Sequence, residues 1–202
     1  MMNKEEGFCK VRFKDAEKDV KVYKPLWKRF FYGIRPVLKE KLGLKNIMAV
    51  PRLIKVTVNR GIGDVSGDKH KIAVMQKELS DITCQKAVIV KARKDISNFK
   101  LRKGNPVGVM VTLRGERMYN FLDKLINLAL PRVRDFRGIN RDAFDKTGVY
   151  NLGIKDQTVF LEIKYDEVVH ILGMNITLQT SSRNKEHNIA LFEALGFPFI
   201  KK

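Results

Sequence analysis

The stretch Val107–Leu130, VGVMVTLRGERMYNFLDKLINLAL, changes its hydrophobic period partway along and so indicates the fold class. Its first part alternates with the period of two that a strand with one buried face requires. The residues expected to face inward are Val107, Val109, Val111 and Leu113, and those expected opposite are Met110, Thr112 and Arg114. From Gly115 the apolar residues follow helical spacing instead, along the stripe Met118, Phe121, Leu122, Leu125, Ile126 and Ala129. Pro131 is expected to stop this helix.

The same two patterns recur on both sides of this stretch. Leu53–Asn59 alternates, with Ile54, Val56 and Val58 on one side and Lys55, Thr57 and Asn59 on the other. Further strands are predicted around 87–90, 150–154, 158–163 and 176–180, and further helices around Ile72–Ile82 and Lys185–Leu195. This order predicts an α+β fold, an antiparallel sheet with helices packed on one face and a free, polar surface on the other.

The N-terminal part predicts one more helix behind a charged extension. Pro25 opens the helical stretch, Val22, Leu26, Phe30, Val37 and Leu38 are candidates for one face, and Pro36 should kink it or end a turn. Residues 1–20 are charged and lack apolar periodicity, which is typical of a mobile extension. The predicted organisation is therefore this extension followed by a single α+β domain, residues 21–202.

The charge balance indicates a polyanionic partner. The 202 residues contain 40 Lys plus Arg against 22 Asp plus Glu, a formal net charge of +18. Self-repulsion from that excess opposes compaction unless a polyanion offsets it. A membrane span is not expected, because the longest stretch without Asp, Glu, Lys or Arg is Val168–Ser182 and a spanning helix needs ~20 mostly apolar residues. Cys9 and Cys84 are the only cysteines, which fits a reducing cytoplasm.

Motifs that carry enzyme chemistry are absent from the sequence. The glycine-rich run Arg60–Gly67 has Ser66 where a dinucleotide fingerprint needs glycine, so these glycines are better explained by a tight strand exit. The histidines His70, His170 and His187 are widely separated and predict no metal site. No base or nucleophile lies near the acidic residues Glu162, Asp166 and Glu167 in sequence. We therefore expect no catalytic residues, no metal and no cofactor.

Two basic clusters are the candidate RNA contacts. Lys91–Lys103 contains the cations Lys91, Arg93, Lys94, Lys100, Arg102 and Lys103, with Asn98 and Phe99 among them. Cations interleaved with an aromatic ring can bind phosphates and stack on a base, and the missing apolar periodicity predicts a loop held by few contacts. The second cluster is Arg132, Arg134, Arg137 and Arg141 around Phe136, which could equally bind an acidic protein. An RNA-processing enzyme and a general binder of acidic partners thus stay open as alternatives to a structural RNA-binding protein.

Several collinear blocks resemble one family, the bacterial-type ribosomal protein five of the large subunit. They are Met48–Pro51, Asn59–Gly63, Gln85-Lys86, Lys91–Lys94, Phe99–Gly104, Val111–Met118, Leu130–Gly138, Asn175–Thr177 and Phe197–Phe199. The resemblance runs from about residue 22 to the C-terminus. Lys146, Val149 and Leu161 depart from the family's pattern, and residues 1–20 look like an addition to it.

The resemblance implies partners and site residues. It implies a structural protein of the central protuberance whose polar, RNA-facing sheet surface contacts 5S rRNA through Asn59, Gln85, Thr112 and Arg114. The protein is expected on the ribosome in the cytoplasm, and a bacterial ribosome is favoured over an organellar one because the acidic N-terminal residues do not resemble a transit peptide. Loop 93–104 resembles the family's loop that reaches P-site tRNA, which would involve Arg93, Lys94, Asn98, Phe99, Lys100, Arg102 and Lys103. The region after the second cluster resembles the side that faces small-subunit protein thirteen. Large-subunit rRNA and neighbouring large-subunit proteins on 5S rRNA are the other implied partners.

Overall fold

A five-stranded antiparallel sheet forms the centre of the computed structural model, which describes residues 25–63, 69–99, 101–163, 168 and 171–200. The strands are β1 (Leu53–Gly61), β2 (Val88–Lys91), β3 (Pro106–Leu113), β4 (Val149–Ile154) and β5 (Met174–Thr180). They lie in the order β2-β3-β1-β5-β4, and every pairing is antiparallel. The two strands with the cleanest alternation in sequence, β1 and β3, are therefore neighbours in the middle of the sheet.

Helices cover one face of this sheet. They are α1 (Leu26–Arg29), α2 (Arg35–Lys41), α3 (Lys69–Thr83), α4 (Gly115–Lys124), α5 (Leu130–Arg132) and α6 (Lys185–Leu195). A π-helical segment, Phe30–Ile34, joins α1 to α2, and another, Leu125–Ala129, joins α4 to α5. The core lies between this layer and the sheet, where Val56, Val58 and Val111 are almost fully buried. The predicted α+β class is thus confirmed.

Most predicted elements are present, and α6 has the predicted bounds. The α4 helix begins at Gly115 as predicted, and its continuation through the π-helical segment and α5 ends one residue after Pro131. Pro36 does not end the first helix: it is the second residue of α2, which follows the π-helical segment. A proline there removes a helix hydrogen bond, which a π-type turn accommodates.

Four predictions of strand or face are wrong. A register shift between Leu53 and Lys55 turns Leu53 into the core and leaves Ile54 40% exposed. Val107 is 41% exposed, and Val37 on α2 is 63% exposed. Residues 158–163 do not form a strand: the 3₁₀ segment Gln157–Val159 and a turn bury their apolar side chains instead.

One buried ion pair was not expected from the sequence. The alternation of β1 places Arg60 on the core face, where its side chain is 1% exposed and its Nη1 atom donates to Glu78 Oε2 of α3 at 2.5 Å. A guanidinium can be buried only if an acidic partner offsets its desolvation. The pair therefore fixes the end of β1 against α3.

Some predictions fall outside the described residues. These are the extension 1–20, Val22, Ser66, Gly67, Lys100, Asp166, Glu167 and His170. The division into an extension and a single domain thus stays a prediction. Within the described ranges no helix is long and apolar enough to cross a membrane.

Candidate nucleic-acid interface

The sheet face opposite the helices carries mostly uncharged polar side chains. Strand register aligns them across the sheet: Met110, Asn59, Asn175 and Gly153 form one row, and Thr112, Thr57, Thr177 and Asn151 form the next. Lys55 and Gln179 pair in a third row. These ten residues, here called the open face, are exposed or half-buried in the described structure. The face therefore presents hydroxyl and amide groups to a partner, with Lys55 as its one cation.

Asn59 lies in the middle of the open face. It pairs with Met110 of β3 and Asn175 of β5 and is exposed. The neighbouring Gly108 leaves the surface beside Asn59 without a side chain. A Cβ atom at position 108 would lie 2.9 Å from the Arg60 carbonyl oxygen and 3.5 Å from Asn59 Oδ1. A partner can thus approach the Asn59 amide closely.

Thr112, Gln85 and Arg114 lie together at the β3 end of the open face. Gln85 Nε2 donates to the Thr112 carbonyl oxygen at 3.1 Å, which holds the α3–β2 turn beside β3. Arg114 is the N-cap residue of α4, with extended backbone, an exposed side chain and no side-chain capping bond. The structure thus brings the predicted residues Gln85, Thr112 and Arg114 close together, and Asn59 lies one row away on the adjacent strand.

The open face also contains residues that the predicted site did not include. Thr57 was expected on the polar side of β1. The sequence did not predict that β4 and β5 add four residues to this surface: Asn151, Asn175, Thr177 and Gln179. Thr177 Oγ1 donates to Asn151 Oδ1 at 2.8 Å, so the two strands share a polar contact. The period-two alternation along Asn175–Gln179 indicates which residues of β5 share a face. It does not place that face beside β1 and β3, because the order of the strands cannot be derived from one sequence.

The first basic cluster forms a hydrogen-bonded loop between β2 and β3. The Ala92 N–H donates to the Asn105 carbonyl at 2.8 Å, and Ile96 and Leu101 pair as a single bridge. Asp95 Oδ1 accepts from the Lys103 N–H at 2.6 Å. The loop is thus better connected than its lack of periodicity predicts. Its outward residues are Arg93, Lys94, Asn98, Arg102 and Lys103, with Phe99 79% exposed.

In the second basic cluster, Arg141 contacts other residues of the protein, whereas the remaining arginines are exposed. Arg141 Nη2 donates to Glu193 Oε1 at 2.9 Å, and its guanidinium lies 5.5 Å from the Phe199 ring centroid. Arg132, Arg134 and Arg137 are exposed, and the first two line a groove of about 720 Å³ beside β4. Arg141 therefore connects α6 to Phe199, which leaves the other three arginines as the better candidates for external contacts.

Lys146 and Val149, two of the positions that depart from the family's pattern, lie in or next to a hydrogen-bonded turn. The Asp145 carbonyl accepts from the Gly148 N–H at 3.0 Å, and the Asp145 N–H donates to the Val149 carbonyl at 2.8 Å, so Lys146 is accommodated without opening the turn.

The Thr147 hydroxyl and then the Lys146 backbone N–H lower the pKa of the Asp145 carboxyl. This contribution to stability is therefore present above the ordinary aspartate pKa and is lost as pH falls through the lowered one. Leu161 is 62% exposed.

Among the described residues, the other candidates for catalysis or metal binding do not come together into a site. Glu162 forms an ion pair with Lys124 at 2.6 Å, which accounts for its charge. No group of three His, Cys, Asp or Glu residues that could hold a metal ion occurs among the described residues.

Comparison with known proteins identifies the family. The family described as ribosomal protein L5 matches residues 46–102, and the model of that ribosomal family's C-terminus matches residues 106–199. Proteins named large ribosomal subunit protein uL5 are similar over most of the chain. The one from Synechocystis sp. is 55% identical over 166 residues, 82% of this chain and 92% of its own length. The one from Fervidobacterium nodosum is 51% identical over 178 residues, 88% and 97% of the two chains.

A third relative of the same name, from Microcystis aeruginosa, is 53% identical over 166 residues, 82% of this chain and 93% of its own length. The resemblance found in the sequence is thus confirmed, and with it the ribosome-bound location in the cytoplasm. The chain belongs to the ribosomal protein L5 (uL5) family, as a structural and non-enzymatic constituent of the large ribosomal subunit.

Proposed function

We propose that this protein holds 5S rRNA on its open face, with Asn59, Gln85, Thr112 and Arg114 as direct contacts. The supporting observation is the open face itself, which presents aligned rows of hydroxyl and amide groups on four strands and has no helix of the described structure packed over it. Proteins recognise RNA through 2′-hydroxyls and base edges, and such groups pair with hydroxyls and amides. Arg114 and Lys55 at the margins supply charge for phosphates.

Substitution of Thr112 and Arg114 tests this proposal. Thr112→Val is nearly isosteric and removes one hydroxyl, so 5S rRNA affinity should fall by about 1 kcal/mol or more if the RNA partner is left unpaired. Arg114→Ala should cost more, because a charged fork is lost. Matched controls are Thr158→Val, half-buried outside the sheet, and Lys77→Ala, exposed on α3. Unchanged affinity in both open-face variants, with melting temperatures equal to wild type, would mean that another face binds the RNA.

Two further contacts complete the proposal. The loop 93–104 reaches P-site tRNA, which its exposed cations and the exposed Phe99 ring support through phosphate contact and stacking. The exposed arginines Arg132, Arg134 and Arg137 face small-subunit protein thirteen across the subunit bridge or contact large-subunit rRNA. Neighbouring proteins on 5S rRNA are the remaining proposed partners.

Competition distinguishes this function from general polyanion binding. A protein that recognises only charge should release 5S rRNA to an equal mass of bulk tRNA. Retention of 5S rRNA under that competition is the expected result, because hydroxyl and amide contacts depend on the geometry of one RNA. An RNA-processing activity would instead appear as magnesium-dependent cleavage of the 5S rRNA in the same mixture.

A further inference from the structure

A groove beside the open face has the composition of a nucleobase site. It has a volume of about 430 Å³ and lies between α1, the start of β1 and the start of α4. Trp27, Phe31, Glu116, Met118 and Tyr119 are among the residues that line it. Trp27 is half-buried and Phe31 is 41% exposed, so both rings border the groove without being enclosed in the core.

The local packing holds the Phe31 ring in place. Phe31 contacts Tyr119 with ring centroids 6.4 Å apart and Phe30 at 5.4 Å, both edge to face. Tyr119 is itself stacked on Phe30 at 5.6 Å, and burial raises its pKa to about 12. An aromatic side chain fixed in this way loses little conformational freedom when a flat ligand stacks on it.

The charges of the groove suit a base flanked by phosphates. Arg52 and Glu116 line it with one charge of each sign, so a phosphate inside would gain little. Around it, Lys28 Nζ lies 5.4 Å from the Trp27 ring and the Arg35 guanidinium 6.0 Å from the Phe31 ring. A base that leaves its stack carries a phosphate on either side, and cations this close to the two rings can neutralise such phosphates.

Two residues that line the groove directly adjoin the open face or the proposed 5S rRNA contacts in sequence. Ile54, turned outward by the register shift in β1, lines the groove next to strand positions of that face. Gly115 lines it too and directly follows Arg114, one of the proposed 5S rRNA contacts. The groove and the RNA-binding surface proposed above thus meet at Ile54–Lys55 and at Arg114–Gly115, so an RNA on the open face lies close to the groove.

We propose that the groove receives an unpaired base of the RNA bound on the open face, stacked against Trp27 and Phe31. This inference rests on the proposed function, since the same RNA occupies both surfaces. The base is taken from a loop or bulge, because only an unstacked base can enter a side groove. The contact adds a stacking term to recognition that otherwise uses hydroxyls, amides and cations.

Trp27 is the only tryptophan in the chain and so reports directly on the groove. We would titrate the full-length protein with 5S rRNA and follow tryptophan emission and, independently, RNA retention on a filter. Quenching with the same midpoint as retention is expected, because a base in contact with the indole alters its emission. Full retention with unchanged emission would overturn the groove assignment while leaving open-face binding intact. Absence of any retention would instead overturn the proposed function, and this inference with it.

A pair of ring-removal variants provides the second measurement. Phe31→Leu should weaken 5S rRNA binding about tenfold, in line with the loss of one stacked base. Tyr32→Leu is the matched control, because Tyr32 is the next residue, is 80% exposed and does not line the groove. Equal losses in both variants would contradict the assignment, as would wild-type affinity in Phe31→Leu. Melting temperatures of both variants separate binding from unfolding.

The chain's own N-terminal segment is the competing occupant. A variant that lacks residues 1–20 should keep the wild-type emission in the absence of RNA and the same quenching when RNA is added. If the truncation alone changes the emission and RNA then has no effect, the groove belongs to that segment and the proposal fails.

Discussion

At the residue scale, the Arg60–Glu78 ion pair places a guanidinium in the core of the protein. Arg60 is 1% exposed, and its Nε atom has no hydrogen-bond partner among the described residues, so Glu78 is the main compensation for a buried charge. The pair connects the end of β1, which carries Asn59 on the other face, to α3. Damage to this buried pair should therefore reach the open face through the strand.

Removing the Glu78 charge tests that dependence. Glu78→Gln leaves the guanidinium buried without its counter-charge, and loss of one partner of such a pair costs about 3–5 kcal/mol. Urea unfolding should show this loss. The double variant Arg60→Met with Glu78→Leu should recover most of it, because neither charge then needs compensation. A loss below about 0.5 kcal/mol in Glu78→Gln would mean that the pair is not what stabilises Arg60.

Individual side chains on the middle strands could be predicted from the sequence where alternation was uninterrupted. Thr57, Asn59 and Thr112 lie on the polar side as expected. Ile54 was misplaced, because one irregular residue reverses the face of its neighbours and leaves no mark in the hydrophobic pattern. Arg60 was read as part of a glycine-rich turn, since its acidic partner lies 18 residues away and is brought close only by the fold.

At the element scale, the β2–β3 loop can be separated from the sheet that supports it. Its base is closed by the Ala92 N–H to the Asn105 carbonyl and by the Gly104 N–H to the Ala92 carbonyl at 3.0 Å. Both bonds lie outside residues 95–102. The part of the loop that carries Phe99 is thus an appendage to the strands and contributes nothing to the described core.

Deletion of residues 95–102 tests the role of this loop. The shortened hairpin keeps both closing bonds, so melting temperature and 5S rRNA affinity should stay close to wild type. Retention of tRNA in the peptidyl site should fall, because the cations at 100, 102 and 103 are removed or displaced. The control is Lys77→Ala, which loses a cation on α3. If 5S rRNA binding collapses while tRNA occupancy stays normal, the loop has been assigned to the wrong RNA.

Elements with long uninterrupted periods were predicted well, and short ones were not. The α4 and α6 helices begin at the predicted residues because their apolar stripes span several turns. Residues 158–163 look like a strand because Val159, Phe160 and Ile163 are apolar, but a 3₁₀ segment followed by a turn buries them equally well. Short apolar runs do not distinguish these outcomes.

At the scale of the whole molecule, the net charge of +18 and the uncharged open face have different roles. Cations supply affinity for any RNA, whereas the polar rows supply selection of one RNA. The fold separates the two: the open face has one lysine, whereas exposed cations lie at Arg114, on the β2–β3 loop and in the second basic cluster.

Salt dependence should separate these roles in the protein as a whole. If about 6–10 phosphates are neutralised, log K for 5S rRNA should fall against log salt with a slope of about −0.7 to −0.9 per phosphate. Arg114→Ala should reduce the magnitude of that slope by about 1, whereas Thr112→Val should lower affinity at every salt concentration and leave the slope unchanged. Binding that does not vary with salt would contradict the electrostatic part of this account.

Mapping the bound RNA onto the protein by NMR tests the central claim most directly. On addition of 5S rRNA, we expect the backbone amide signals of the open face to shift or broaden, with Thr57, Asn59, Thr112, Asn175 and Thr177 among the strongest. Exposed positions on α3 and α6, such as Lys77 and Glu193, should keep their signals apart from uniform broadening by the larger complex. Perturbation confined to α3 and α6, with the signals of Asn59 and Thr112 unchanged at saturation, would contradict the claim that the open face binds 5S rRNA.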